Sequence, residues 1–227
     1  HGVSWEDTLA LARGFADAYA RERFRDMDSQ RLTYLFQRNN RELDMIVEEL
    51  WKELSAAAFQ PVGFEVAFGK GGQMPAIAIP NSAMPAVLRG FVDRVDLWED
   101  TTGRFLRVTD YKTGQKKFDY CDISQGIGLQ MLLYLFALGH GGRELFGEGL
   151  RPGGVEYFPA RAPYLKADAP LDPAEAEEER VKAFSRSGLF LEDRRVLGAM
   201  EPEGLGDRLP VVEKKDGSLT GSLATSE

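Results

Sequence analysis

Between residues 4 and about 25, Trp5, Leu9, Ala12, Phe15, Ala16 and Tyr19 return at helical spacing, and Ser4 stands ahead of Glu6 and Asp7 as a cap would. A longer amphipathic helix is predicted over residues 29–58, with Leu32, Leu35, Phe36, Leu43, Ile46, Val47, Leu50, Trp51 and Leu54 on its apolar side. Beyond Pro61 the period falls to two, which predicts strands over 62–69, 76–80, 87–98 and 105–112, the last two joined by a hairpin at "EDTTG", 99–103. The apolar run "QGIGLQMLLYLFAL", 125–138, reads as a helix with one polar stripe, and "GGVEYFPA", 153–160, as a further strand. A last helix is expected over 172–188, with proline in its first turn and acids near its positive end. The final stretch, 213–227, is short of apolar groups and reads as a mobile tail. Helices, then strands, then a helix closing on a sheet predict one α/β domain: a helical N-terminal part over 1–58, a core over 59–212 and the tail.

Composition narrows the function. The chain has 227 residues, 43 % hydrophobic and 28 % charged, enough for one large domain with a real core. No apolar run approaches a membrane span, and the first residues have neither the basic nor the apolar region of a signal peptide, so a cytoplasmic location is expected. Cys121 is the only cysteine, which excludes an internal disulfide and any site of several thiolates; with His1 and His140 as the only histidines, zinc is poorly supplied too. A net charge of −8 argues against coating nucleic acid by bulk electrostatics, but not against a local groove, and Lys112, Lys116 and Lys117 do cluster.

Candidate chemistry lies in the acids of the strands. In "FLRVTDYK", Asp110 and Lys112 share a face, roughly 7 Å apart along the backbone. They could be a surface ion pair, or could converge on a metal ion with a phosphate beside it. In "RGFVDRVD", 89–96, alternation puts Phe91, Asp93 and Val95 on one face and Val92, Arg94 and Asp96 on the other, so Asp93 has apolar neighbours. It is either an edge residue paired with Arg94 or Lys112, or a second oxygen ligand with Asp110 for Mg²⁺ or Mn²⁺. Two clustered carboxylates repel unless a cation neutralises them, so the acid pair and a metal explain each other. Glu65, the only acid in "GFEVAF", is a third carboxylate or an exposed strand glutamate. Gln130 and Tyr134, one helical turn apart, are the polar heads of "LQMLLYLF".

Together, Glu65, "GFVD", "DYKTG" and "QMLLY" in this order resemble the nuclease domain of the RecB-like branch of the PD-(D/E)XK superfamily. The longer forms "RGFVDRVD", "TDYKTGQKKFD", "PVGFEVAFG" and "GGVEYFPAR", with the closing "KKDGSL", are similar to the C-terminal nuclease domain of the AddB family, the second subunits of bacterial AddAB helicase-nucleases. The resemblance implies a restriction-endonuclease-like core, a central mixed sheet flanked by helices, over 59–212. It implies Asp93 and Asp110 as metal ligands and Lys112 as the residue that positions the attacking water or helps deprotonate it. Glu65 would be a supporting carboxylate, with Gln130 and Tyr134 holding substrate and acids in place. The activity implied is a Mg²⁺- or Mn²⁺-dependent exonuclease acting on the 5′-terminated strand of single-stranded DNA in double-strand break repair and recombination, beside an AddA-type helicase-nuclease subunit.

Two features depart from that family. Its metal-binding histidine on a helix before the sheet has no counterpart here except His1, and its 4Fe-4S cluster, held by four cysteines, cannot be built from Cys121. Both gaps suit a fragment, and a weak or inactive isolated nuclease is expected. The competing reading is a non-catalytic nuclease-fold module that docks the helicase subunit or guides DNA; the intact set of acids stands against it, and the acidic net charge and missing histidine favour it.

Overall fold

The computed structural model describes residues 3–23, 30–79, 84–114, 116–161 and 171–225. His1 and part of the expected second-helix start lie outside them. Two helices lead, α1 (Trp5–Arg23) and α2 (Gln30–Ala56), close to the spans the apolar periodicity predicts. The strands follow: β1 (Gln60–Phe68), β2 (Ile77–Ala78), β3 (Val87–Leu88), β4 (Gly90–Asp100) and β5 (Gly103–Lys112). The β4–β5 hairpin closes at Asp100, whose Oδ1 accepts from the Thr102 hydroxyl and from the Thr102 and Gly103 backbone N–H groups.

After β5 come α3 (Tyr120–Ser124), α4 (Gln130–Gly141), α5 (Arg143–Phe146) and β6 (Leu150–Pro159). The apolar helix therefore starts five residues later than its sequence suggests: Gly126 and Gly128 take φ +81° and +71°, which a right-handed helix does not accommodate. The chain ends with α6 (Pro173–Ala183), β7 (Ser187–Leu191), α7 (Arg194–Met200), β8 (Val211–Glu213), β9 (Leu219–Gly221) and β10 (Leu223–Ala224). Helix α6 opens on a capping box in which Asp172 and Glu175 satisfy each other's backbone N–H groups. The stretch read as a mobile tail instead carries β9 and β10; the backbone of β10 pairs with β7 and so offsets the ordering of a segment with few apolar groups.

Six strands form a mixed sheet in the order β1-β4-β5-β6-β7-β10. Strand β4 runs antiparallel to both its neighbours, β1 and β5; β5 and β6 are parallel, β6 and β7 antiparallel, and β7 and β10 parallel. Parallel neighbours need a crossover, and α4 supplies it between β5 and β6. On the α4 face, Val66, Val92, Val95, Leu106, Val108, Val155 and Tyr157 pack against Met131, Ala137 and Leu138. On the other face, Phe59, Phe105 and Phe190 meet α7 through Val196, Leu197 and Met200, with Trp98 stacked on Phe105. Between α7 and the strand ends, that second face is charged, and α2 covers it with Glu49 and Glu53.

Candidate active site

Strand register brings the candidate acids into one row. Phe64 pairs with Arg94 and Val66 with Val92, which sets Glu65 level with Asp93. The β4–β5 pairing ends at Arg94 and Thr109, so the next residues, Asp93 and Asp110, are also level. Asp110 pairs onward with Tyr157, and Tyr157 with Ser187. The row thus crosses five strands.

At this row the regular alternation expected from sequence fails. Val92 and Val95 both lie in the α4-side core, with Arg94 between them turned to the opposite face, so Phe91, Asp93 and Val95 do not share one side. Strand β1 slips in step: a Cβ on Gly63 would come 2.7 Å from Val66 Cγ2, so both face α4, and Glu65 between them adopts φ +48°. A left-handed glutamate costs on the order of 1 kcal/mol. The slip frees Asp93 from the ladder, and its Oδ2 accepts the Tyr111 N–H at 2.9 Å. A side-chain carboxylate thereby takes a backbone donor between Asp110 and Lys112. Asp93 is half-buried, and Glu65 is exposed.

Asp110 is the hub. Its residue is 1 % exposed; Oδ1 accepts from Gln130 Nε2 at 3.1 Å, and Oδ2 meets the Lys112 ammonium at 2.5 Å. No well-formed hydrogen bond reaches Oδ2. Burial pushes the Asp110 carboxyl above its usual value; Lys112 opposes this and the neighbouring Asp93 charge adds to it. Gln130, at the first turn of α4, also donates from Nε2 to the Tyr134 hydroxyl at 2.7 Å. The Tyr134 ring stands edge-on to Phe68, 6.0 Å between centroids. Gly90, the glycine of "GFVD", permits this: a Cβ there would lie 2.8 Å from Phe68 Cζ and 3.3 Å from Tyr134 Cε1.

Asp110, Lys112, Gln130 and Tyr134 are therefore in one bonded cluster, with Asp93 attached through Tyr111 and Glu65 at the exposed end of the row. Asp93 pairs with neither Arg94 nor Lys112: Arg94 binds Asp96, Glu53 and the Tyr111 hydroxyl, and Lys112 binds Asp110. Sequence reasoning missed Tyr157. It is level with Asp110, the Lys112 ammonium lies over its ring at 5.8 Å, and burial with the Asp110 charge raises its hydroxyl above the usual tyrosine value. Its place in "GGVEYFPA" was readable as strand, but the sequence carries no register.

Among the described residues, no three His, Cys, Asp or Glu side chains form a metal cage. The donors at the row fit a hard cation nonetheless. Asp93 and Asp110 offer carboxylate oxygens, and the buried Oδ2 of Asp110 has only an ammonium against it. Mg²⁺ is commonly held by one or two carboxylates, with water and substrate phosphate completing its shell.

The sequence profile of the PD-(D/E)XK nuclease superfamily matches residues 5–200. The chain is also similar to proteins named as the B subunit of an ATP-dependent helicase/deoxyribonuclease. That of Clostridium acetobutylicum is 34 % identical over 202 residues, 88 % of this chain and 18 % of the relative. That of Desulforudis audaxviator is 36 % identical over 201 residues, 85 % and 17 % respectively. That of Clostridium tetani is 32 % identical over 235 residues, 99 % and 20 %. The chain thus spans about a fifth of the length of the curated relatives it matches.

Proposed function

The chain belongs to the PD-(D/E)XK nuclease superfamily, and from that premise we propose that it hydrolyses phosphodiester bonds of DNA with Mg²⁺ or Mn²⁺ held by Asp93 and Asp110. The observation that carries this reading is the Asp110 carboxylate: buried, raised by that burial, and left with one ammonium where the nearby carboxylates ask for more positive charge. When bound, the cation supplies Lewis acidity, drawing charge from the phosphate and acidifying adjacent water. Lys112 presents a fixed positive charge for the phosphoryl oxygens at the moment charge develops on them. Gln130 fixes the rotation of the Asp110 carboxylate through Oδ1, and Tyr134 anchors Gln130 from the next turn. Asp93 holds the Tyr111 N–H and so sets the backbone that carries Asp110 and Lys112. Glu65 is a supporting carboxylate at the open end of the row.

The resemblance to the helicase/deoxyribonuclease relatives supports the finer reading. The substrate is single-stranded DNA, the 5′-terminated strand delivered by an AddA-type helicase subunit, in double-strand break repair and recombination in the cytoplasm. The test is a strand-specific gel assay on labelled oligonucleotides, with the chain alone and combined with an AddA-type subunit. Asp110→Ala and Lys112→Ala are each expected to lower divalent-dependent cleavage by at least about 10²-fold, while only Asp110→Ala weakens metal binding. Full cleavage by either variant removes that residue from the site. A chain that binds no divalent ion and cleaves in neither setting is instead a docking module with a nuclease fold.

A further inference from the structure

We infer that residues 116–129 form a guide for single-stranded DNA, with Lys116 and Lys117 on its phosphates and Tyr120 against a base. The inference rests on the nuclease reading and specifies how substrate is led to that site. The chain on either side of the segment is pinned to one carboxylate: Lys112, shortly before it, meets Asp110 Oδ2, and Gln130, just after it, donates to Asp110 Oδ1. In between, the Phe118 N–H donates to Ser187 Oγ at 2.7 Å, and the Phe118 ring packs on the α4-side core. Ser187 belongs to the same row as Asp110, two strands over.

Lys112 on β5 and Phe118 beside β7 therefore stand on either side of β6, about 10 Å apart at the usual strand spacing. That placement holds Lys116 and Lys117 on the rim beyond Asp110, and both are exposed. Tyr120 follows, 51 % exposed, its ring edge-on to the anchored Phe118 at 5.9 Å, and Ile127, 55 % exposed, stands near the return to Gln130. The segment also carries Asp119 and Asp122 on the α3 side of the two lysines, and the Asp119 carboxylate is turned to α3, accepting from Cys121 N at 2.7 Å and Asp122 N at 3.2 Å. Paired cations followed by an aromatic face, framing a phosphate site, match the chemistry of an unpaired strand, whose phosphates and bases are presented together. A base inside a duplex is stacked and unavailable to Tyr120. In a chain of net charge −8, a local cationic rim is also the means by which phosphate can approach.

The experiment is fluorescence-anisotropy binding of a labelled oligothymidylate of about 15 nucleotides to the 227-residue chain in EDTA. No cleavage occurs there, so a failure of the guide appears as unchanged affinity of the variants or as no binding by the unaltered chain, whereas a chain that binds but does not cleave in the gel assay fails the nuclease reading alone. Lys116→Ala/Lys117→Ala is expected to weaken binding about tenfold at low salt and to flatten the logarithmic salt dependence by about 1.4, about 0.7 per phosphate contact. Tyr120→Ala is expected to weaken it about tenfold with the slope unchanged. Lys214→Ala/Lys215→Ala, a second exposed lysine pair on the β8–β9 turn, should shift affinity less than about twofold, as a solvated surface pair would. Equal losses from the two lysine pairs, an unaffected Tyr120→Ala, or no measurable binding by the unaltered chain each overturn the inference.

Discussion

Behind β4 and β5, under α2, the guanidiniums of Arg94, Arg107, Arg186 and Arg208 meet the carboxylates of Glu49, Glu53, Asp96 and Glu156; in front, under α4, Asp110 meets the ammonium of Lys112, and Asp93 beside it accepts only the Tyr111 N–H. The rear cluster has a guanidinium for each acid, although Asp96 Oδ1, Glu156 Oε2 and Arg186 Nε make no well-formed hydrogen bond. Glu53 accepts from Arg94 at 3.0 Å, Arg107 at 2.7 Å and Arg186 at 2.5 Å, and its residue is 3 % exposed. Burial alone would raise the Glu53 carboxyl, but Arg107, Arg186 and Arg94 outweigh it and hold it well below the ordinary value. Asp110, no more exposed than Glu53, has its carboxyl pushed the other way. In the rear cluster each acid is matched by a guanidinium, whereas Glu201, buried elsewhere, is held by the Gly206, Arg208 and Leu209 backbone N–H groups. Where the acid is kept short of positive charge, the shortage is what a divalent cation and a phosphate-binding lysine can use.

Four outcomes would break or sharpen that contrast, in falling order of size. Arg107→Ala takes from the buried Glu53 and Asp96 one of the two guanidiniums they share, leaving Arg94, and should cost about 3–5 kcal/mol in denaturant unfolding; a loss under about 1 kcal/mol would mean the rear cluster is hydrated and loose. Gly90→Ala drives a methyl into Phe68 and Tyr134 and should cost about 1–3 kcal/mol. Its cleavage rate should fall further than its stability explains, because Tyr134 anchors Gln130. Asp110→Asn removes a buried charge that Lys112 offsets only in part and should stabilise the metal-free chain by about 1 kcal/mol, a rise of about 2–4 °C in Tm. Destabilisation by that variant would show Asp110 to be an ordinary structural acid.

The smallest effect is the opposite pH dependence of the two acids, read by urea unfolding in EDTA. Glu53 has a lowered folded pKa, so its stabilisation is complete above the ordinary glutamate range and is lost as pH falls below about 4.3. Asp110 has a raised one, so stability is highest while it is protonated and declines as pH rises past about 3.9. The advantage of Asp110→Asn should therefore vanish in acid and grow toward neutrality. A constant advantage at every pH would assign it to packing instead.

Much of the front cluster was legible because it obeys short-range periodicity. The hairpin at Asp100, the common side of Asp110 and Lys112 and the helical turn from Gln130 to Tyr134 all follow from spacing within one element. The slip at Glu65 and Asp93 was not, since alternation presumes an unbroken ladder and nothing in "GFEVAF" or "FVDRVD" marks the φ +48° residue. The rear cluster was also hidden. Arg94, Asp96 and Arg107 look like ordinary polar positions of half-exposed strands until α2 brings Glu53 over them from some forty to fifty residues upstream. The strands β7 to β10 are too short to carry a period, and their pairing across the chain makes them.

The most direct test of a front cluster with one cation for two acids is a calorimetric titration of Mn²⁺ into the unaltered chain, Lys112→Ala and Asp110→Asn. One ion should bind per unaltered chain, binding should persist in Lys112→Ala, and Asp110→Asn should weaken it at least about tenfold. No Mn²⁺ binding by the unaltered chain, or equal binding by Asp110→Asn, would contradict the assignment of Asp93 and Asp110 as the seat of the metal.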